Sequence, residues 1–432
     1  MMSQPLQNLP GFRDFFPEAC AVRNYIFQHW RNVAFRYGFV EYEGPTLEPT
    51  ELYTRKSGEE IVHQLFNFQD RGKREVALRP EVTPTLARMV AAGQRHYKKP
   101  LKWFQIGPCF RHEATQKGRG REFYQFNCDI VGESGIEADA ELVAMAIDLM
   151  LDLGFQPGDF KVRLSDRRVW NAFADGSGIS SESLPLFLQA IDKLDREKPE
   201  ITAQKLAQLG TSLEAVRTFL QNPDAAREGV LGALLDSLDA RGLAEHVCVD
   251  LGVVRGLAYY TGVVFEVFDA GGTLRAVAGG GRYDSLCQLI GGVDLPAAGF
   301  AMGDMVLAEF IQATAPARNR LMAYQSAVHN LDAYVIIAEE SCRRQALEIV
   351  QMLRAEGVRV DFPLAPAKVG RQFQNAEQGR ARVAVVVGAE FPSVKIKDMT
   401  SRSEIVVDAD DVPAEVLETL VRPEETPLLA QD

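Results

Sequence analysis

The chain has 432 residues, too many for one ordinary domain, so two or three domains are expected. With 46% hydrophobic and 25% charged residues it can bury real cores, and no apolar run reaches the ~20 residues of a membrane-spanning helix. A net charge of −12 argues against a wholly basic nucleic-acid binder and leaves room for local basic surfaces, of which 111–121 is the clearest.

At the N-terminus, residues 1–17 carry no basic stretch followed by an apolar one, so no secretory signal is read and no membrane partner is expected. The six cysteines, Cys20, Cys109, Cys128, Cys248, Cys287 and Cys342, are scattered without a C-x-x-C pair. That pattern argues against a disulfide framework or a zinc site, and a reducing cytoplasm is the expected location. Val22, Ile26, Trp30 and Val33 recur at helical spacing and predict a helix over 21–37, stopped by Gly38. A strand over 39–45 follows, with further strands at 76–78, 101–106 and 123–131, and an apolar helix over 138–153 that ends at Gly154. From 167 to 246 the texture turns to Leu, Ala, Glu, Asp and Lys, the composition of a helical insertion. Strand texture returns at 247–254, 263–268 and 274–278, ahead of Gly279-Gly280-Gly281. Residues 313–330 lack periodicity and read as a linker. Strands at 333–338, 358–362 and 381–387 then alternate with helices at 341–355 and 369–378, a rhythm that predicts a mostly parallel sheet. The fold class is therefore α+β: a mainly antiparallel body over 1–312 with a helical insertion, a linker, and a compact α/β module over 331–432.

Four stretches carry candidate chemistry. In Leu78-Arg79-Pro80-Glu81-Val82-Thr83, a carboxylate and a hydroxyl two apart on an extended chain point the same way and could hold an ammonium group. In the second, Phe110-Arg111-His112-Glu113 leads through a basic loop with Lys117, Arg119 and Arg121 into Phe123-Tyr124-Gln125-Phe126-Asn127-Cys128-Asp129. Arginine forks suit a polyphosphate, and Gln125, Asn127 and Asp129 share one strand face. Third, Arg255-Gly256-Leu257-Ala258-Tyr259-Tyr260 could line a small polar ligand site. Fourth, Gly279-Gly280-Gly281-Arg282-Tyr283-Asp284 and Gly299-Phe300-Ala301-Met302-Gly303 suggest backbone lying close to a ligand. Each segment alone also reads as a salt-bridged surface loop, a solvated strand face or core packing. Neither a P-loop nor a strand–GxGxxG–helix unit is present.

In this order and spacing the stretches resemble the class II histidyl-tRNA synthetases over nearly the whole chain. Asn8 to Asp14 looks like the family's N-terminal entry, 38–53 like motif 1, 110–129 like motif 2, and 255–260 and 280–284 like its two histidine signatures. The C-terminal module is similar to the family's anticodon-binding domain. The resemblance implies a homodimeric histidine–tRNA ligase acting on L-histidine, ATP with Mg²⁺, and tRNA(His). By position, Glu81 and Thr83 would hold the α-amino group, Gln125 the backbone end, and Asp129 and Tyr260 the two imidazole nitrogens, with Tyr259 beside them. Arg111 would grip the α-phosphate, Arg255 would stabilise charge from the other side, and Arg119 or Arg121 would meet the outer phosphates. Two departures stand out: Ala258 where the family usually has aspartate, and Val306 where motif 3 usually has arginine. Plant organellar forms resemble the chain in both places, so a subtype is expected. Arg275 and Arg282 are candidates to replace the missing arginine. The alternative is a non-catalytic paralogue: a regulatory subunit of ATP phosphoribosyltransferase, which lacks the anticodon-binding domain, or a tRNA sensor.

Overall fold

The computed structural model describes residues 6–55, 63–114, 116, 118–194, 197–222, 227, 229–255 and 259–421. The chain divides into two compact units, residues 1–322 and 323–432.

The first unit is built on an eight-stranded sheet in the order β1 (Val40–Glu41), β5 (Leu101–Phe110), β6 (Glu122–Val131), β11 (Ala297–Gly303), β10 (Ala278–Arg282), β9 (Val263–Asp269), β7 (Phe160–Asp166) and β8 (Val247–Val249). All pairings are antiparallel except the two edge pairs β1–β5 and β7–β8. A smaller antiparallel sheet runs β2 (Leu47–Pro49), β4 (Glu75–Leu78), β3 (Phe66–Gln69). One face of the large sheet is covered by α1 (Pro17–Arg36), and Trp30, fully buried, stacks on Phe126 with centroids 5.5 Å apart. The short α2 (Glu51–Thr54), then α3 (Thr83–Gly93) and α4 (Ile136–Asp152), complete the first half of the unit. Between residues 167 and 246 the described elements are helical: α5 (Arg167–Gly176), α6 (Leu184–Asp192), α7 (Pro199–Gln208), α8 (Leu213–Leu220), α9 (Val230–Ala240) and a 3₁₀ turn over Ala244–His246. The unit continues with α10 (Leu286–Gly291) and α11 (Asp304–Ala313).

Several local expectations are corrected. The strand expected at 274–278 begins at Ala278 and contains all three glycines. Backbone lies so close to Gly280 and Gly281 that a Cβ would strike Gly299 O and Phe300 or Val263 O. Glycine's low strand propensity hides a strand that close approach requires. The strand expected over 247–254 keeps only three residues, and the one over 39–45 only two. Glu81 and Thr83 are not on an extended strand. The chain turns at Val82 and Thr83 opens α3, with Pro84 in the first turn, where its missing N–H is no loss. The stretch 313–330 is not a bare linker but carries α12 (Ala315–His329). Only Ala317 and Leu321 of it are buried, so it has helix-forming residues without the apolar stripe that betrays a helix.

The second unit holds a five-stranded sheet in the order β13 (Val360–Asp361), β12 (Ala333–Ile337), β14 (Val383–Val387), β15 (Ser393–Asp398), β16 (Glu404–Asp408). The first three strands are parallel, and β15 and β16 add an antiparallel ribbon that the expected parallel sheet did not include. Its core combines Val335, Ile337, Val383 and Val385 with Ile349 and Leu353 of α13 (Arg343–Ala355) and Val416 of α15 (Val412–Leu420). On the other face, α14 (Val369–Gln378) brings Ala376 to Tyr334 and Ala384.

Candidate active site

Strand alternation on β6 sends Phe126 and Cys128 toward α1, and sends Gln125, Asn127 and Asp129 to the opposite face. The register across the sheet defines what lies beside them. Gly299, Ala301 and Gly303 of β11 pair with Asp129, Asn127 and Gln125, and Gly281 and Gly279 of β10 pair with Gly299 and Ala301. The middle of this face therefore has no side chain larger than a methyl group. Polar residues flank it: the β6 row on one side and Glu266 of β9, paired with Gly279, on the other.

Arg255 reaches over this floor. Its Nη1 donates to Glu266 Oε1 at 2.5 Å, and a Cβ on Gly279 would strike its guanidinium. Arg255 has φ 58°, a left-handed backbone that costs a non-glycine residue of order 1–3 kcal/mol and is retained where the surroundings demand it. The demand is visible: buried Arg167 donates to the carbonyls of Val254 (3.0 Å), Arg255 (2.6 Å) and Tyr260 (3.4 Å), pinning both ends of the loop. Burial works against the Arg255 charge, yet Tyr260 and Glu266 hold its pKa above the usual value. Burial lowers Arg167 to about 10, still charged at neutral pH. The Tyr260 ring lies 5.9 Å from each of the two guanidinium carbons.

Across the site, Glu81 Oε2 accepts from Tyr259 Oη at 2.9 Å, and Thr83 also hydrogen-bonds Tyr259. Burial raises the Glu81 pKa, against the pull of Arg111 and Arg255. Asp129 accepts a short hydrogen bond from Tyr283, and burial pushes its pKa up to about 7, with Tyr283 opposing and Glu81 adding to the rise. Glu81 Oε1, Asp129 Oδ2, Asn127 Oδ1 and Arg255 Nε are all buried without a partner. Buried polar atoms are normally satisfied, so a group of open ones around a floor of glycines is the form of a site shaped for a polar ligand.

Arg111 sits at the mouth of the β5–β6 hairpin, its Nε donating to Pro80 O at 3.0 Å and its guanidinium 5.2 Å from the Phe123 ring. Thus Glu81, Thr83, Gln125, Asp129, Tyr259, Tyr260, Arg111 and Arg255 all lie on this one face or at its rim. Arg119 and Arg121 stay in the hairpin loop: Arg119 ion-pairs with Glu113 at 2.7 Å, and Arg121 donates to Glu113 O at 3.3 Å. Lys117, Gly256, Leu257 and Ala258 lie outside the described residues. Arg282 is ruled out as a replacement arginine. It faces the opposite side of the sheet and is spent on Asp139, Asp284 and the carbonyls of Glu133 and Gly135. Val306 lies against Gly118 of the hairpin loop, and its neighbour Asp304 is held by Arg13 at 2.8 Å and by the Tyr124 amide.

Sequence reasoning passed over Arg167, Glu266 and Tyr283 as site residues. Tyr283 stood inside a quoted motif and could have been found. Glu266 is marked only by its pairing with Gly279, and Arg167 only by loop carbonyls 87 to 93 residues away. Among the described residues no group of three His, Cys, Asp or Glu side chains forms a metal-ligating set.

The chain is similar to known proteins over both of its units. The family described as histidyl-tRNA synthetase matches residues 11–305, and the anticodon binding domain matches residues 332–419. A histidine–tRNA ligase of Opitutus terrae is 43% identical over 96% of this chain and 98% of its own length. The chloroplastic/mitochondrial histidine–tRNA ligase of Arabidopsis thaliana is 36% identical over 93% of this chain and 85% of its own. Among solved structures, a histidyl-tRNA synthetase from a Nostoc species superposes with a TM-score of 0.77 at 23% identity, covering 96% of this chain and all of that one, a likeness of fold.

Proposed function

The chain belongs to the histidyl-tRNA synthetase family, and on that premise we propose that it activates histidine with ATP and esterifies it to tRNA(His). The observation that carries this reading is the set of open, buried polar atoms, Glu81 Oε1, Asp129 Oδ2 and Arg255 Nε, around the glycine floor. Glu81 and Thr83 take the ammonium group of histidine and Gln125 its backbone end. Asp129 and Tyr260 take the imidazole nitrogens, with Tyr259 holding Glu81 in place. An amino acid without ring nitrogens leaves buried polar groups unpaired at roughly 1–3 kcal/mol each, enough to reject it.

The histidine carboxylate, ionised at neutral pH, needs no base; it attacks the α-phosphorus of MgATP, forming the adenylate and releasing pyrophosphate. Arg111 and Arg255 approach the α-phosphate from opposite sides and stabilise the charge that develops there. Arg119 and Arg121 serve the outer phosphates, and Arg119 exchanges Glu113 for phosphate to do so. A terminal tRNA hydroxyl then attacks the acyl carbon and AMP leaves. The domain matched at 332–419 supports tRNA binding and is the part a phosphoribosyltransferase regulatory subunit would lack. Among the described residues no helix is long and apolar enough to cross a membrane. A cytoplasmic homodimer completes the reading.

The test is histidine-dependent ATP–pyrophosphate exchange on purified protein. Exchange that falls about 10²–10³-fold in Arg255→Ala is expected, the usual cost of removing one transition-state charge donor. Folded, unmodified protein without exchange would overturn the reading.

A further inference from the structure

Gln105 of β5 and Asn127 of β6 stand directly opposite each other in the antiparallel register, on the face that carries Asp129. Cβ atoms so paired are roughly 4.5–5.5 Å apart, within reach of a side-chain hydrogen bond. Yet Gln105 Nε2, a donor, and Asn127 Oδ1, an acceptor, are both buried without a partner. Gln105 is held at its other end, where Oε1 accepts from the Gly44 amide at 3.2 Å. A third group opens nearby: Tyr42 Oη, also buried and unpartnered, close enough to Asp129 to feel its charge. Asp129 Oδ2 is the fourth. Gln105 and Asn127 thus sit on the sheet face of Asp129 and Gln125, and Tyr42 lies near enough to Asp129 to sense its charge.

An unpaired buried carboxamide is costly and is retained where a ligand supplies the missing partner. Asn127 is the middle residue of the Gln125–Asn127–Asp129 row, so its side chain reaches the part of a bound amino acid between backbone and ring tip. We infer that Asn127 is a further specificity-determining residue for histidine: its Oδ1 shares with Asp129 Oδ2 the proton of the one imidazole nitrogen that Asp129 takes, leaving the other nitrogen to Tyr260. Gln105 and Tyr42 are positioning residues that line the wall behind it. This inference rests on the histidine-ligase reading above.

Two variants of the full-length protein test it. Asn127→Ala removes the carboxamide, and Asn127→Leu replaces it with an apolar group of similar volume, which gives the fold no new buried polar atom to satisfy. Both should raise the KM for histidine in pyrophosphate exchange by about tenfold or more, the worth of one buried hydrogen bond. Both should weaken histidinol binding, measured by calorimetry, by a similar factor, while the KM for ATP stays within about twofold. Unchanged histidine KM and histidinol affinity in either folded variant overturns the inference. So does a parallel fall in every parameter with a lowered Tm, which marks a structural role. Absence of exchange in the unmodified protein removes the functional reading itself, and the inference with it.

Discussion

On one face of the eight-stranded sheet, Trp30, Phe104, Phe126, Phe300 and Met302 fill the space beneath α1, and the one arginine that β10 sends that way, Arg282, has its donors taken by carboxylates and carbonyls. On the other face the same strands present glycines and acceptors with nothing bound to them, and a loop between strands lays an arginine with a strained backbone across them. Arg255 and Arg282 make the contrast concrete. Arg282 forms a closed set of bonds around Asp139, whereas Arg255 is tied to Glu266 and keeps Nε open. One face has spent its polar capacity on the fold and the other has kept it for a ligand, so stability and activity should separate by face.

Three substitutions probe that separation. The largest expected effect is Trp30→Ala, which empties a fully buried site under the sheet. It should cost about 3–5 kcal/mol in urea unfolding while exchange activity per folded molecule stays within about twofold. Equal losses in both would break the contrast. Two glycines then sharpen it, because they differ mainly in the face they turn. A Cβ on Gly299 would run into Asp129 Oδ1, and one on Gly280 into Phe300 on the α1 side. Gly299→Ala should therefore raise the histidine KM about tenfold to a hundredfold by displacing Asp129. Gly280→Ala should instead lower stability by about 1–3 kcal/mol through overpacking, with the KM for histidine little changed.

The smallest effect is a pH profile. Burial pushes the Asp129 pKa up to about 7, so its carboxylate becomes mostly ionised as pH rises through that value. Histidine kcat/KM should rise with pH through about 7, and Asp129→Asn should remove that rise while leaving the ATP KM unchanged. Linkage gives a second reading. A carboxyl whose pKa is raised in the folded state binds its proton more tightly there. Its contribution to stability is greatest at low pH and is lost as pH climbs from about 3.8 through about 7. Asp129→Asn should flatten that loss in a series of melts.

Local chemistry carried much of this protein into view. Helical spacing marks α1 through Trp30, alternation marks β6, and Gln125, Asn127 and Asp129 declare a shared polar face because a strand repeats every two residues. The motif order from Asn8 to Asp284 was specific enough to indicate the family, since each motif must hold a fixed place around one substrate. Helix α12 escaped because it buries too little to show a stripe, and β10 escaped because its glycines hide a strand. The glycine floor, the reach of Arg167 to the Arg255 loop, the pairing of Glu266 with Gly279 and the exclusion of Arg282 were decided by tertiary structure alone. These are relations between residues tens to hundreds apart in the chain, set by strand register and by which side of a sheet a residue faces. A single sequence specifies them only through the packing that the whole chain settles into.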